Sequence, residues 1–281
     1  MNDLETRQLR YFVAVAEEQH FGRAAQRLGM AQPPLSRAIR EMERQLGVQL
    51  LVRTTRQVAL TPVGETLLDD ARRALEAVQA AGRRAHRSGR PAPALTVALK
   101  ADFDAGLLPR IVEEYRELPV QLLLGGPGDQ VRAVRDGRAD VALVPTPYDP
   151  QGLESEPLVT APRVVALAAS DPLVTHPGPL RLSDLAGRML PNGTAAELGD
   201  VTAPTGQRVR RDLSQIFSLV ETGNLVWFLP QWLAERFPRP NLVYRAVEDL
   251  EPSTLAVVWA VGSRSPAVAA FVRTAQDVAS R

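Results

Sequence analysis

Apolar residues return at helical spacing three times within the first 46 positions. Leu9, Phe12, Val13 and Ala16 fall at i, i+3, i+4 and i+7, which is one buried face of a first helix. Phe21, Ala24, Ala25 and Leu28 repeat the pattern in a shorter second helix that stops at Gly29, and its small alanines let another helix approach closely. A third helix is predicted over 32–46, with Leu35, Ile39, Met42 and Leu46 turned inward and Gly47 closing it. Pro33 and Pro34 fit only its first turn, where a missing N–H costs nothing. The outward face of this helix carries Ser36, Arg37, Arg40 and Arg44, and its first turn presents Gln32. Nothing apolar on that face asks for burial.

Over 50–60 the pattern shortens to two β-rich runs around a polar tip that holds Arg53, Thr55 and Arg56, a hairpin placed like a wing beside the third helix. Thr61 can then cap a helix with Pro62 in its first position, and apart from Gly64 and Gly82 no breaker follows before Ser88-Gly89-Arg90-Pro91. About 26 residues at 1.5 Å each make a rod of roughly 39 Å, too long to hide against a sixty-residue domain. Leu67, Ala71, Ala74, Val78, Ala81 and Ala85 alternate spacings of four and three, a heptad stripe of mostly small side chains. Either the same helix of a second copy or the chain's own C-terminal part would cover it.

After the proline-rich hinge the pattern becomes strand–helix alternation: strands over 95–99, 120–124 and 141–144, with helices near 107–116 and 129–136 between them, which reads as two βαβ units. Further strands are predicted over 163–168, 208–209, 226–229, 242–247 and 254–260, a helix over 213–222, and a last helix capped by Ser265-Pro266 and reaching Ala279. The boundaries expected are 1–61 for the first domain, 62–90 for the connecting helix and hinge, and 91–281 for the rest.

Charge sharpens this division. Residues 1–90 hold 15 arginines against 10 carboxylates, a net of +5, and the remainder carries a net of −4. A basic domain joined to a mildly acidic one points to a polyanion partner for the first alone. There is no cysteine, and His20, His86 and His176 show no ligand spacing, so neither a metal nor another cofactor is expected. No apolar run approaches the roughly 20 residues of a membrane helix, and the N-terminus lacks the pattern of a secretory signal. A cytoplasmic protein with no membrane partner is expected.

The third helix has the chemistry of a reading helix. Gln pairs with adenine, Arg with guanine, Ser with phosphate or base, and proline rings pack on thymine methyl groups. A bare three-helix pattern is equally at home in proteins that never touch DNA, and here the wording of the segments decides. Phe21-Gly22-Arg23-Ala24-Ala25-Gln26-Arg27-Leu28, Ala31-Gln32-Pro33-Pro34-Leu35-Ser36-Arg37, Leu46-Gly47-Val48-Gln49-Leu50-Leu51 and Thr61-Pro62-Val63-Gly64 resemble the LysR-type transcriptional regulators over residues 5–66. The resemblance implies an N-terminal all-α winged helix-turn-helix with a long linker helix, then an α/β effector domain of two Rossmann-like lobes similar to periplasmic binding proteins. It implies a non-enzymatic, ligand-responsive regulator of promoter activity whose partners are double-stranded promoter DNA and a small-molecule effector. Assembly follows: a homodimer through 62–87, pairing into a homotetramer, with RNA polymerase as a further partner. Gln32, Pro33, Ser36, Arg37 and Arg53 match family positions that meet DNA. Pro34, Arg40, Thr55 and Arg56 join them as DNA-binding candidates on their place in the helix and wing.

The effector domain matches less specifically. Only positions 191–207 separate the strand-like Met189-Leu190 from later elements, where the family usually spends a long helix and more, so a shortened second lobe is expected. Ligands of open α/β sheets bind beyond the carboxyl ends of strands, which nominates Lys100, Ala101, Asp102, Gly126 and Thr146, with Asn192 facing them from the other lobe. Lys100 is the only lysine, and it stands where the family usually has Ser or Thr. It can meet an effector carboxylate, but an ion pair with Asp102 or Asp104 is the expectation favoured here. Gly125-Gly126-Pro127-Gly128 lacks the residues of a phosphate-binding loop and is read as a turn, and no Gly-x-Ser-x-Gly elbow is present. Two rivals stay in view: a metabolite-binding protein whose N-terminal unit serves only assembly, and an enzyme built on the α/β lobes.

Overall fold

Helices α1 (Thr6–Glu18), α2 (Phe21–Arg27) and α3 (Gln32–Leu46) bury the stripes the spacing selects, with Phe12, Ala24, Leu35, Ile39 and Met42 all fully inside. The computed structural model describes residues 4–53, 58–89, 92–199 and 211–281. It divides the chain into two compact units, Met1–Ser88 and Gly89–Arg281.

In the first unit Gly47 ends α3 in the left-handed conformation, φ 69°, and turns the chain into a two-stranded antiparallel wing. Strands β1 (Leu51–Arg53) and β2 (Val58–Leu60) pair with Leu51 opposite Leu60 and Arg53 opposite Val58. The root of the wing is held by α3 itself, because Glu43 Oε1 accepts from the backbone amides of Leu50 and Leu51 at 2.9 and 3.1 Å. Helix α4 (Pro62–Ser88) begins at Thr61, whose hydroxyl accepts from the Gly64 amide at 3.0 Å and donates to the Gln49 carbonyl at 2.8 Å. Glu17 joins three helices by pairing with Arg27 of α2 and Arg72 of α4, each at 2.8 Å. Burial pushes this carboxyl up, but the hydrogen bonds from Arg72 and Arg27 outweigh it and hold the carboxyl below its ordinary range. Along the heptad stripe Ala71 is buried in the core of this unit, whereas Ala74, Val78, Ala81 and Ala85 are exposed.

In the second unit a five-stranded sheet forms the first lobe, in the order β4 (Val120–Leu124), β3 (Leu95–Leu99), β5 (Val141–Pro145), β10 (Ser253–Ala260) and β6 (Leu153–Ala161). Strand β3 (Leu95–Leu99) lies parallel to β4 (Val120–Leu124) and β5 (Val141–Pro145), as the strand–helix alternation requires. Helix α5 (Leu108–Glu114) follows β3, α6 (Asp129–Arg135) follows β4, and the terminal α9 (Pro266–Ala279) returns to the same sheet, burying Phe271 and Val278. Strand β6 (Leu153–Ala161) was not anticipated. It runs antiparallel to β10 (Ser253–Ala260) along the sheet edge, with a register shift beside Pro157.

The second lobe carries a three-stranded antiparallel sheet, β8-β7-β9, from β7 (Arg163–Ala168), β8 (Trp227–Pro230) and β9 (Leu242–Ala246), with α7 (Leu213–Glu221) and α8 (Gln231–Arg236) packed on it. Met189-Leu190 forms no strand. Met189 makes an isolated bridge to Ala195 across a short turn. The strand expected at 208–209 lies outside the described residues. The chain passes between the lobes twice, from β6 into β7 and from β9 into β10.

Candidate functional site

Helix α3 separates its two faces cleanly. At about 100° per residue, Leu35, Ile39, Met42 and Leu46 fall within about 60°, and Gln32, Ser36, Arg40 and Arg37 fall within about 140° on the other side. Gln32, Pro33, Arg37 and Arg40 are exposed, with Pro34 and Ser36 half-buried. Arg40 Nη2 donates to Ser36 Oγ at 3.3 Å, while Arg44 at the far end is neutralised by Glu41. The side chains of Gln32 and Arg37 have no hydrogen-bond or ionic partner among the described residues. The arrangement is a donor-rich ridge on which Arg37 has no ionic partner among the described residues. Arg53 closes β1 at the wing, and Thr55 and Arg56 lie outside the described residues.

The residue that caps the neighbouring helix α2 escaped the sequence reading. His20 precedes α2 in extended conformation, and its Nδ1 accepts from the Gly22 and Arg23 amides at 3.0 and 3.2 Å. Histidine is not among the usual N-cap residues, so no signal marked it. Gly22 makes the cap possible, since a Cβ there would sit 2.9 Å from His20 Cε1. His20→Ala is expected to cost about 1 kcal/mol, with His20→Asn recovering most of it, read as the unfolding midpoint of the N-terminal unit.

At the carboxyl ends of the parallel strands the structure brings several effector candidates together. Gly125 N donates to Leu99 O at 3.1 Å, setting the 125–126 turn beside Lys100. The Gly126 amide is taken by Asp129 Oδ2 at 2.9 Å, and Thr146 Oγ1 accepts from the Thr254 amide at 2.9 Å, so both carry internal bonds. Asn192 uses its Oδ1 for Thr194, at 3.0 and 2.7 Å, within an exposed turn of the second lobe. That turn is tied to the start of α7 by Arg211, which donates to Pro191 O at 2.7 Å, and the next residue, Asp212, is the acidic group whose charge reaches Lys100.

The ion pair favoured for Lys100 is not formed. Arg236 of α8 takes both aspartates, Asp102 at 3.3 Å and Asp104 at 2.9 Å, and Lys100 Nζ instead lies 4.1 Å from the centre of the Phe103 ring. The reason is geometric. Asp102 turns through the left-handed region at φ 68°, which sends 102–104 into the second lobe, where Phe103 packs among Val164, Phe217 and Leu233 and meets Trp232 edge-on at 5.9 Å. Ala101 remains exposed. A cavity of about 140 Å³ on the flank of β4, walled by Gly125, Asp129, Gln130 and Arg138, does not include Lys100 and is small for a metabolite. No three His, Asp or Glu side chains among the described residues gather as metal ligands, and no helix among them is long and apolar enough to cross a membrane.

Comparison with known proteins gives this geometry its context. Residues 6–65 match the model of the bacterial regulatory helix-turn-helix protein, lysR family, and residues 88–280 match the LysR substrate binding domain. The chain is 31% identical to the Hca operon transcriptional activator HcaR of Escherichia coli strain K12, over 98% of both chains. It is 32% identical to the HTH-type transcriptional regulator IlvR of Caulobacter vibrioides, over 96% of this chain and 97% of that protein. Among solved structures, full-length BenM aligns with TM-score 0.53 at 26% identity, covering 99% of this chain and 97% of that one. CbnR, a LysR family transcriptional regulator, aligns with TM-score 0.57 at 25% identity, covering 98% and 99%. With both domain models matched in order and relatives similar from end to end, the chain belongs to the LysR family of transcriptional regulators, DNA-binding proteins with a ligand-binding domain and no enzymatic role.

Proposed function

We propose that α3 lies in the major groove of promoter DNA, with Gln32, Pro33, Pro34, Ser36, Arg37 and Arg40 facing the base edges, and with the wing residues Arg53, Thr55 and Arg56 on the flanking backbone. The observation that carries this reading is the outward face of α3, where the exposed side chains of Gln32 and Arg37 have no hydrogen-bond or ionic partner among the described residues. The full-length CbnR structure solved with its target DNA, 24% identical, shares the fold. Exposure of Ala74, Val78, Ala81 and Ala85 on α4 supports a homodimer through 62–87, which sets two reading heads on two half-sites. Dimers pair into tetramers, and the assembly works in the cytoplasm, where it also meets RNA polymerase.

The second unit is the sensor. A small-molecule effector lodges between the lobes against Lys100, Ala101, Asp102, Gly126, Thr146 and Asn192. It acts by binding two states of the assembly with different affinity, since equal binding would shift nothing. Arg37→Ala is expected to cost about 1 to 3 kcal/mol and to relax specificity at one base step, whereas Arg56→Ala weakens all sequences alike and lowers the salt slope by about 1. Titration of operator and random duplex over a range of salt separates the two, and identical behaviour of both variants would contradict the division of roles.

A further inference from the structure

Lys100, at the end of β3, is the one lysine in a chain that otherwise uses arginine for every basic side chain. It is largely buried, yet among the described residues no carboxylate stands within ion-pair distance of it, because Arg236 holds both neighbouring aspartates. What faces Nζ is the Phe103 ring, 4.1 Å to its centre, and the charge that acts on it is that of Asp212 in the second lobe. A ring face alone compensates a buried ammonium poorly. Burial lowers the pKa to about 8, against the opposing pull of Asp212. Roughly a quarter of the side chain is then neutral at pH 7.5, compared with about one part in a thousand for an ordinary lysine.

A neutral, desolvated primary amine without a counter-ion is the form in which lysine acts as a nucleophile toward carbonyl carbon. We propose that Lys100 is a reversible covalent capture site for a small carbonyl compound, an aldehyde or a 2-oxo acid, held as an imine between the two lobes. The proposal rests on the ligand-responsive reading of this domain and gives that ligand a chemical class. Nζ adds to the carbonyl carbon, the C–N bond forms as the carbonyl π pair moves to oxygen, and a proton passes from nitrogen to that oxygen. The nitrogen lone pair then expels the hydroxyl group, which departs with a proton as water. Nothing is oxidised or reduced, and addition of water reverses the step.

Asp212 is the carboxylate whose charge acts on Lys100 from the second lobe. Its Oδ1 caps α7 by accepting from the Gln215 amide at 2.8 Å, and its Oδ2 has no partner among the described residues. The loop keeps the amine in place, since Phe103 is locked against Trp232 and the aspartates on either side of it are locked on Arg236.

The test uses purified full-length protein with glyoxylate and sodium cyanoborohydride, and Nα-acetyl-lysine in the same mixture as the reference amine. Adducts are located by peptide mass spectrometry between pH 6.5 and 9. The expected result is an adduct at Lys100 that forms at least tenfold faster than on the reference at pH 7.5, with a rate that climbs to a plateau above about pH 8. A Lys100 adduct no faster than the reference, or none at all, overturns the proposal. Duplex binding by the untreated preparation is measured alongside, so failure of the capture chemistry and failure of the regulator reading are read separately.

Discussion

Replacing Arg236 with alanine is expected to destabilise the effector unit by about 3 kcal/mol, the larger part of it from the carboxylate left behind. Asp104 has a side chain only 6% exposed and loses the one guanidinium that pairs with it among the described residues, at 2.9 Å, keeping a 3.3 Å bond from the Leu108 amide. Removing one partner of a buried pair typically costs about 3 to 5 kcal/mol, and the 45% exposure of Arg236 places this case at the lower end. The left-handed backbone at Asp102 then loses its tether as well. The measurement is the denaturant midpoint of the effector unit in the full chain. Adding Asp104→Ala to Arg236→Ala is expected to recover part of the loss, because it removes the stranded charge. If the single variant unfolds at the parental midpoint, the pair has no structural role.

Gly64→Ala should be comparably severe in the other unit. A Cβ at this position would sit 2.2 Å from the Leu50 carbonyl oxygen and 3.1 Å from its carbon, and backbone of this kind cannot step aside as a flexible side chain does. The same carbonyl accepts from the Thr61 amide at 3.0 Å, so relief would pull the start of α4 away from the root of the wing. An overpacked site without room to relax costs about 3 kcal/mol, which lowers the melting temperature of a domain this size by more than about 10 °C. Operator binding at elevated temperature should disappear with it. Gly82→Ala is the matching control, since a Cβ there meets nothing within 4 Å in the same helix. Higher helix propensity should make that variant neutral or more stable by up to about 1 kcal/mol.

The parts of the molecule that could be read from the sequence are those whose packing repeats. The stripes of α1 and α3 and the runs of β3, β5 and β7 each bury a mainly apolar set, and their spacing alone locates them. Strand β6 escaped because it is an edge strand with Glu154, Glu156 and Pro157 in its middle, a composition that only an unpaired flank tolerates. Helix α8 is six residues long, too short to show a period. The candidates on α3, Gln32, Pro33, Pro34, Ser36, Arg37 and Arg40, lie on a strongly periodic helix, so their placement followed from counting, whereas Arg53, Thr55 and Arg56 came from the hairpin pattern. The environment of Lys100 did not, because it depends on Arg236, 136 positions away in the chain, and on a backbone turn at Asp102 that no local rule demands of aspartate. Proximity in sequence suggested the wrong partner, and the fold supplied a stronger cation for the same carboxylates.

The single oxygen of Glu43 that anchors the first two amides of the wing makes helix and hairpin one stiff stencil. On the reading proposed above, the distance between the DNA footprints of helix and hairpin is then fixed before any encounter. Misfit has to be absorbed by the duplex, so sequences with pliable pyrimidine–purine steps at the junction of the two footprints should be favoured even where no side chain reaches a base.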